Sequence, residues 1–156
     1  MLEFKHLQEA LAQYGDAIAD RYKVNLEASG RRATGDLISS VNTKVTVNEQ
    51  SFEILLSLED YWKYVEEGTR PHFPPVSKIL EWVKVKRILP TPMPNGKLPT
   101  EQQLAWMIAK KIDRVGTDGT PDLENTLNEV DYNAIIEEAL DADILECLDE
   151  IILLVE

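Results

Sequence analysis

Two neighbouring stretches of the chain alternate between apolar and polar residues, and no other feature restricts the fold more. Val41, Thr43, Val45 and Val47 interleave with Asn42, Lys44, Thr46 and Asn48, and Phe52, Ile54, Leu56 and Leu58 interleave with Ser51, Glu53, Leu55 and Ser57. A period of two sends one set to each face of an extended strand. The four-residue polar joint Asn48-Glu49-Gln50-Ser51 makes the pair a β-hairpin with one wet and one dry face. A lone hairpin is marginal in water, so the dry face requires a cover. The segment upstream supplies one: Leu7, Leu11, Tyr14, Ile18, Tyr22 and Leu26 recur at steps of three and four, which predicts a long amphipathic helix stopping near Gly30. Gly15 inside it costs about 1 kcal/mol relative to alanine, so the helix depends on tertiary contacts.

The remaining elements follow from caps and breakers. Gly30-Arg31-Arg32-Ala33-Thr34-Gly35-Asp36 reads as an exposed loop, with Thr34 placed to cap a short turn over Asp36–Ser40. Three aromatics crowd into Tyr61–Tyr64, Gly68 ends that run, and Pro71, Pro74 and Pro75 hold the next residues extended. A helix is expected over Val76–Val85, with Ile79, Leu80, Trp82 and Val83 on one side. Four prolines between Ile88 and Pro99 exclude helix and central strand there, which leaves a semi-extended loop or arm. Thr100 caps a further helix whose stripe is Leu104, Met107, Ile108 and Ile112; Gly116–Pro121 is a turn. Leu123, Leu127 and Val130 indicate a short helix, and Ile135 to Val155 a longer one with acids opposite its apolar residues, although Ile151–Val155 also suits a strand. The fold class is therefore α+β: a small, hairpin-based antiparallel sheet packed against a long N-terminal helix and further helices. The organisation expected is an α+β domain over 1–130 and an acidic segment over 131–156 that packs on it or extends it.

Charge is unevenly placed. Residues 1–114 hold 15 acidic and 16 basic side chains, a net of +1, whereas residues 115–156 hold 13 acidic side chains and no Lys or Arg, a net of −13. The tail repels nucleic-acid phosphates; it suits a basic partner, a lining past which a polyanion slides, or a solvated face that aids solubility. The chain has one cysteine, Cys147, which excludes an internal disulfide, and no apolar run long enough to span a bilayer, so no membrane partner is expected. Met1–His6 lacks the basic start and apolar core of a signal peptide. These features together read as a soluble product of a reducing cytoplasm.

Catalytic signals are thin. His6 and His72 are the only histidines, and neither has carboxylate or cysteine partners at a recognisable spacing. Cys147 lies among apolar residues without the basic neighbours a reactive thiol needs. Gly116-Thr117-Asp118-Gly119 lacks the Lys-Ser/Thr of a phosphate loop, and adjacent acids such as Glu66-Glu67 point in different directions on a helix. No nucleophile, base and orienting group can be assembled, so the reading is non-enzymatic, without catalytic residues, metal ligands or cofactor. Trp62, Trp82 and Trp106 each suit a core or a contact surface.

Thr34-Gly35-Asp36-Leu37-Ile38-Ser39-Ser40-Val41, lying between a long helix and a hairpin, resembles the Thr-Gly-x-Leu-x-x-Ser signature of small tail-completion proteins of tailed bacteriophages. Tyr61-x-x-Tyr64-Val65-Glu66-x-Gly68-Thr69 resembles their second signature, and Gly116-Thr117 followed by Pro121 and Leu123 is a weaker third. The likeness covers roughly residues 1–130; Asp122 stands where an aromatic is usual, and the proline stretch and acidic tail have no counterpart. It implies a virion structural protein assembled in the bacterial cytoplasm: a neck, tail-completion or tail-terminator ring linking portal or connector proteins to the tail. The implied partners are further copies of the chain in a ring, neighbouring neck, portal or tail proteins, and DNA passing through the lumen without specific binding. Arg31, Arg32, Thr34, Gly35, Glu66, Gly68, Thr69, Arg70, His72 and Phe73 are the candidates for shaping loops and inter-subunit contacts. The alternative that the acidic tail keeps open is a protein-interaction module, such as an inhibitor imitating DNA charge, that binds a basic enzyme as a monomer or dimer.

Overall fold

The computed structural model describes residues 4–30, 35–47 and 51–155. The chain forms α1 (Lys5–Ala28), α2 (Asp36–Ser40), β1 (Asn42–Val47), β2 (Phe52–Ser57), α3 (Trp62–Glu67), β3 (Gly68–Thr69), α4 (Val76–Lys86), α5 (Glu101–Val115), β4 (Thr117–Asp118), α6 (Asp122–Glu129) and α7 (Asn133–Val155). The architecture is α+β, with two separate two-stranded antiparallel sheets, β1–β2 and β3–β4.

Strands β1 and β2 pair in register Asn42↔Ser57 to Val47↔Phe52, which sets Val45 opposite Ile54 and Thr43 opposite Leu56. The hairpin's dry face lies on α1, as the alternation requires. Gly15 acquires its reason here: a Cβ at that position would sit 3.3 Å from Ile54 and Thr43, so the missing side chain lets helix and sheet approach. The core is built where α1, α2, β2, α3 and α6 meet. Ala19, Tyr22, Leu26, Leu37 and Val41 are buried in it, and Leu56, Leu58, Trp62, Val65 and Leu123 close around them. Burying one such large apolar side chain contributes about 1.5–3 kcal/mol.

Helices α4 and α5 form an antiparallel pair joined by the proline stretch, with Val83, Ala105 and Ala109 buried along the pair. The stretch is irregular as expected, yet it is a folded connection: Met93 and Lys97 close a turn around Gly96 (Met93 N to Lys97 O 2.9 Å, Gly96 N to Met93 O 2.8 Å), and Pro99 is buried. Thr100 caps α5 in a reciprocal box with Gln103 (Gln103 N to Thr100 Oγ1 3.2 Å, Thr100 N to Gln103 Oε1 2.9 Å). Lys86 Nζ donates to the carbonyl of Gly30, tying the end of α4 to the end of α1.

Several expectations are corrected. Trp82 is exposed while Ile79, Leu80 and Val83 face inward, and Met107 is exposed while the smaller Ala105 and Ala109 fill the helix seam. Close helix packing favours small residues at the crossing, which displaces the larger ones outward. The segment read as a plain turn, Gly116–Pro121, contains β4. The last apolar residues, expected as helix with strand as the alternative, are helix. Cys147 is only partly covered rather than buried. The N-cap of α2 is Gly35, in a left-handed conformation (φ 90°); Thr34, to which the cap was assigned, lies outside the described residues. Among the described residues no helix is long and apolar enough to cross a membrane.

Candidate functional site

The two glycine–threonine segments of the sequence meet. Gly68 pairs with Asp118 and Thr69 with Thr117, and the two threonine hydroxyls lie 2.9 Å apart while the amide of Thr69 donates to Thr117 Oγ1 at 3.0 Å. The backbones are pressed together so closely that no side chain fits. A Cβ on Gly68 would stand 2.1 Å from the Thr117 carbonyl, and one on Gly119 would stand 2.2 Å from the Glu66 carbonyl. Gly68 also has φ +77° with ψ −168°, a region that only glycine occupies at low cost.

Glu66, one residue before this clasp's outer acid, turns inward. Its carboxylate accepts from the amides of Leu123 (2.9 and 3.0 Å) and Glu124 (3.1 Å), so it caps the N-terminus of α6 from 57 residues away. Val65 O accepts from Thr120 N at 3.0 Å beside it. The phenol of Tyr22 is fully buried nearby without a hydrogen-bond partner; burial and the charges of Glu66 and Asp122 push its pKa upward.

On its outer side the clasp borders an open groove of about 670 Å³ lined by Lys63, Tyr64, Glu67, Arg70 and His72 together with Gly68 and Thr69. His72 Nδ1 lies 2.9 Å from the Arg70 carbonyl. A carbonyl only accepts, so Nδ1 carries the proton there. The groove mixes cations, acids and an exposed aromatic ring, a chemistry suited to an extended peptide or loop. Beyond it Phe73 is exposed, and Lys110 Nζ lies 5.8 Å from its ring centroid.

The candidates separate accordingly. Gly68, Thr69, Arg70 and His72 share the groove, Phe73 flanks it, and Glu66 serves the chain's own fold. Gly35 opens α2, which meets the segment leading into α3: Glu59 N donates to Ser40 Oγ at 3.0 Å, and burial together with the charge of Asp36 raises the Tyr61 pKa. Arg31, Arg32 and Thr34 lie outside the described residues. The sequence segments around 35–41, 61–69 and 116–123 are thus spatial neighbours.

A second polar cluster was invisible in the sequence. Asp143, buried on α7, accepts from the amides of His6 (3.0 Å) and Leu7 (2.8 Å) and lies 2.9 Å from His6 Nδ1, while His6 Nε2 stands 3.8 Å from Glu146. Burial pushes the Asp143 pKa up, but these hydrogen bonds outweigh it and hold the group below its ordinary value; the bond to Asp143 raises His6. The three side chains offer enough ligand atoms for a metal ion, all within 4.8 Å of one another. Both Asp143 oxygens are already committed to the first turn of α1, so the arrangement acts as a helix cap delivered by α7. Compared with known proteins, the chain matches no family model, no curated protein and no solved structure.

Proposed function

We propose that this chain is a structural subunit of a bacteriophage head–tail junction, a neck, tail-completion or tail-terminator protein that works by assembling into a ring. The observation that carries the reading is the large apolar surface left exposed on two separate elements, Trp106 and Met107 of α5 and Ile144 to Leu153 of α7. Contiguous exposed apolar surface beside charged residues marks interaction sites. The sheets add to it, because among the described residues each has two strands, both of them edge strands. The three segments that resemble the family signatures are neighbours in the fold, and this supports the head–tail junction among possible assemblies.

On this reading the groove over Gly68–His72 receives a loop or terminus of an adjoining neck or tail protein, and the β3–β4 clasp holds its wall rigid. Arg70 then pairs with an acid of that partner, and Arg70→Glu weakens assembly while leaving the monomer folded. Deleting the gene tests the function: the outcome expected is filled heads and tails that fail to join or tails of uncontrolled length, restored by the gene in trans. Normal infectious particles from the deletion would refute the proposal. An acidic inhibitor of a basic enzyme, by contrast, leaves particle morphology untouched.

A further inference from the structure

Two surfaces away from the groove are opposite in charge and alike in leaving apolar side chains open. The first is the distal half of α7. Tyr132 stacks on Tyr14 (centroids 5.4 Å apart) and Asp143 meets His6, so α7 runs antiparallel to α1 and reaches the first turn of α1 at Asp143. The 12 residues from Ile144 to Val155 then carry α7 about 18 Å further. Leu148, Ile151 and Ile152 are exposed along this length, with Leu153 at 73% exposure. Its charges are Glu146, Asp149 and Glu150, with no cation among them.

The second surface is the outer face of α5. Trp106, at 52% exposure, and Met107 are shared by two adjoining hollows of about 600 and 450 Å³. One continues to Met93 and Gln103, the other to Lys110, Lys111, Arg114 and the single acid Asp113, so the hollows form one trough along the helix. The ammonium of Lys110 lies 5.4 Å from the Trp106 ring centroid, and among the described residues neither Lys111 nor Arg114 is in an ion pair. The helix is 15 residues long, about 22 Å, long enough to seat the roughly 18 Å overhang of α7.

Pairing of α7 with a second α7 sets Glu146, Asp149 and Glu150 against their own copies with no cation between them, which disfavours a self-matched contact. Trp106 and Met107 with Lys110, Lys111 and Arg114 offer what α7 lacks: an apolar floor whose rim carries three cations against one acid, Asp113. We propose that the distal half of α7 docks into the α5 trough of a second copy of this chain. The contact is heterologous, one surface meeting a different one, so it repeats head-to-tail and closes into a ring where the rotation allows. It rests on the reading of the chain as a ring subunit and assigns that ring its subunit contact. It also places the distal acids between subunits instead of along the lumen.

Sedimentation velocity on the full chain tests it with charge reversals at exposed positions. Lys110→Glu with Arg114→Glu, or Glu146→Lys with Asp149→Lys, is expected to weaken self-association roughly tenfold or more, as two attractive pairs become repulsive. The chain carrying all four changes regains association, and so does an equimolar mixture of the two double variants. Native association weakens between about 0.05 and about 0.5 M salt. Unchanged urea midpoints show that each variant is folded. The proposal is overturned by double variants that associate like the native chain, by folded quadruple variant that does not recover, or by a native chain monomeric up to about 1 mM. A chain present at the head–tail junction whose association ignores these reversals sinks this contact alone. A deletion that leaves particles normal sinks the ring function whatever the reversals do.

Discussion

Replacing Gly68 by alanine tests the clasp quantitatively, because Gly96 supplies a control in the same molecule. Both glycines have positive φ, +77° and +76°, so alanine pays a conformational cost at either position, about 1–2 kcal/mol in the left-handed region and more at Gly68, whose ψ of −168° only glycine adopts at low cost. They differ in what surrounds them. Nothing lies within 4 Å of a Cβ on Gly96, whereas a Cβ on Gly68 falls 2.1 Å from the Thr117 carbonyl and 2.7 Å from the Gly119 amide nitrogen. Those neighbours are backbone and cannot rotate away, so β3 and β4 must separate. Separation forfeits their pairing and the Thr69–Thr117 bonds, at about 1 kcal/mol each. Gly68→Ala is therefore expected to lose about 3–5 kcal/mol, a large share of the 5–15 kcal/mol typical of a folded chain. Gly96→Ala should lose about 1–2 kcal/mol. Urea unfolding followed by circular dichroism measures both, and thermal midpoints should differ by about 4–12 °C at this chain length. Equal losses for the two variants would refute the clasp as a rigid backbone contact.

Tyr22→Phe removes a buried hydroxyl that has no partner, so stability should be unchanged or rise by up to about 1 kcal/mol; a loss above that, by the same unfolding assay, would reveal a hidden bond. Glu66→Ala strips the cap from α6 and should cost about 1–2 kcal/mol, with amide hydrogen exchange accelerating at Leu123 and Glu124; unaltered exchange there would contradict the cap. The His6–Asp143 pair gives stability a pH profile. The raised His6 contributes fully below its ordinary 6.5 and loses that contribution as pH rises through its folded value, and the lowered Asp143 contributes above its ordinary 3.8 and loses it as pH falls through its folded value. The α1–α7 contact should thus be firmest between these limits, and His6→Ala should flatten the alkaline limb of the urea midpoint against pH; an unchanged limb would remove His6 from the account.

How far the chain could be read from its residues depends on distance. The hairpin, α1 and the Thr100 box were legible because a period of two, a step of three to four and a four-residue cap are local signals. Strands of two residues have no period, so β3 and β4 left only their glycines as a trace. Asp143 carries no local signal, and Glu66 stands out only as part of the signature-like run and not as a cap, because the helix ends they cap lie 136 and 57 residues away and no spacing rule joins them. Helix α7 was ambiguous at its end for a related reason. Ile151–Val155 is apolar throughout, which suits a buried strand as well as a helix, so periodicity alone does not decide between them. The groove candidates were found through the glycine–threonine pattern, but their mutual pairing was not, since it is set by tertiary contact.

Gold-labelled antibody imaging of purified phage particles tests the central claim most directly. The account predicts label confined to the collar where head meets tail, or to the end of detached tails. Particles that carry no label, with the chain recovered only as a free protein of the infected cell, would contradict it.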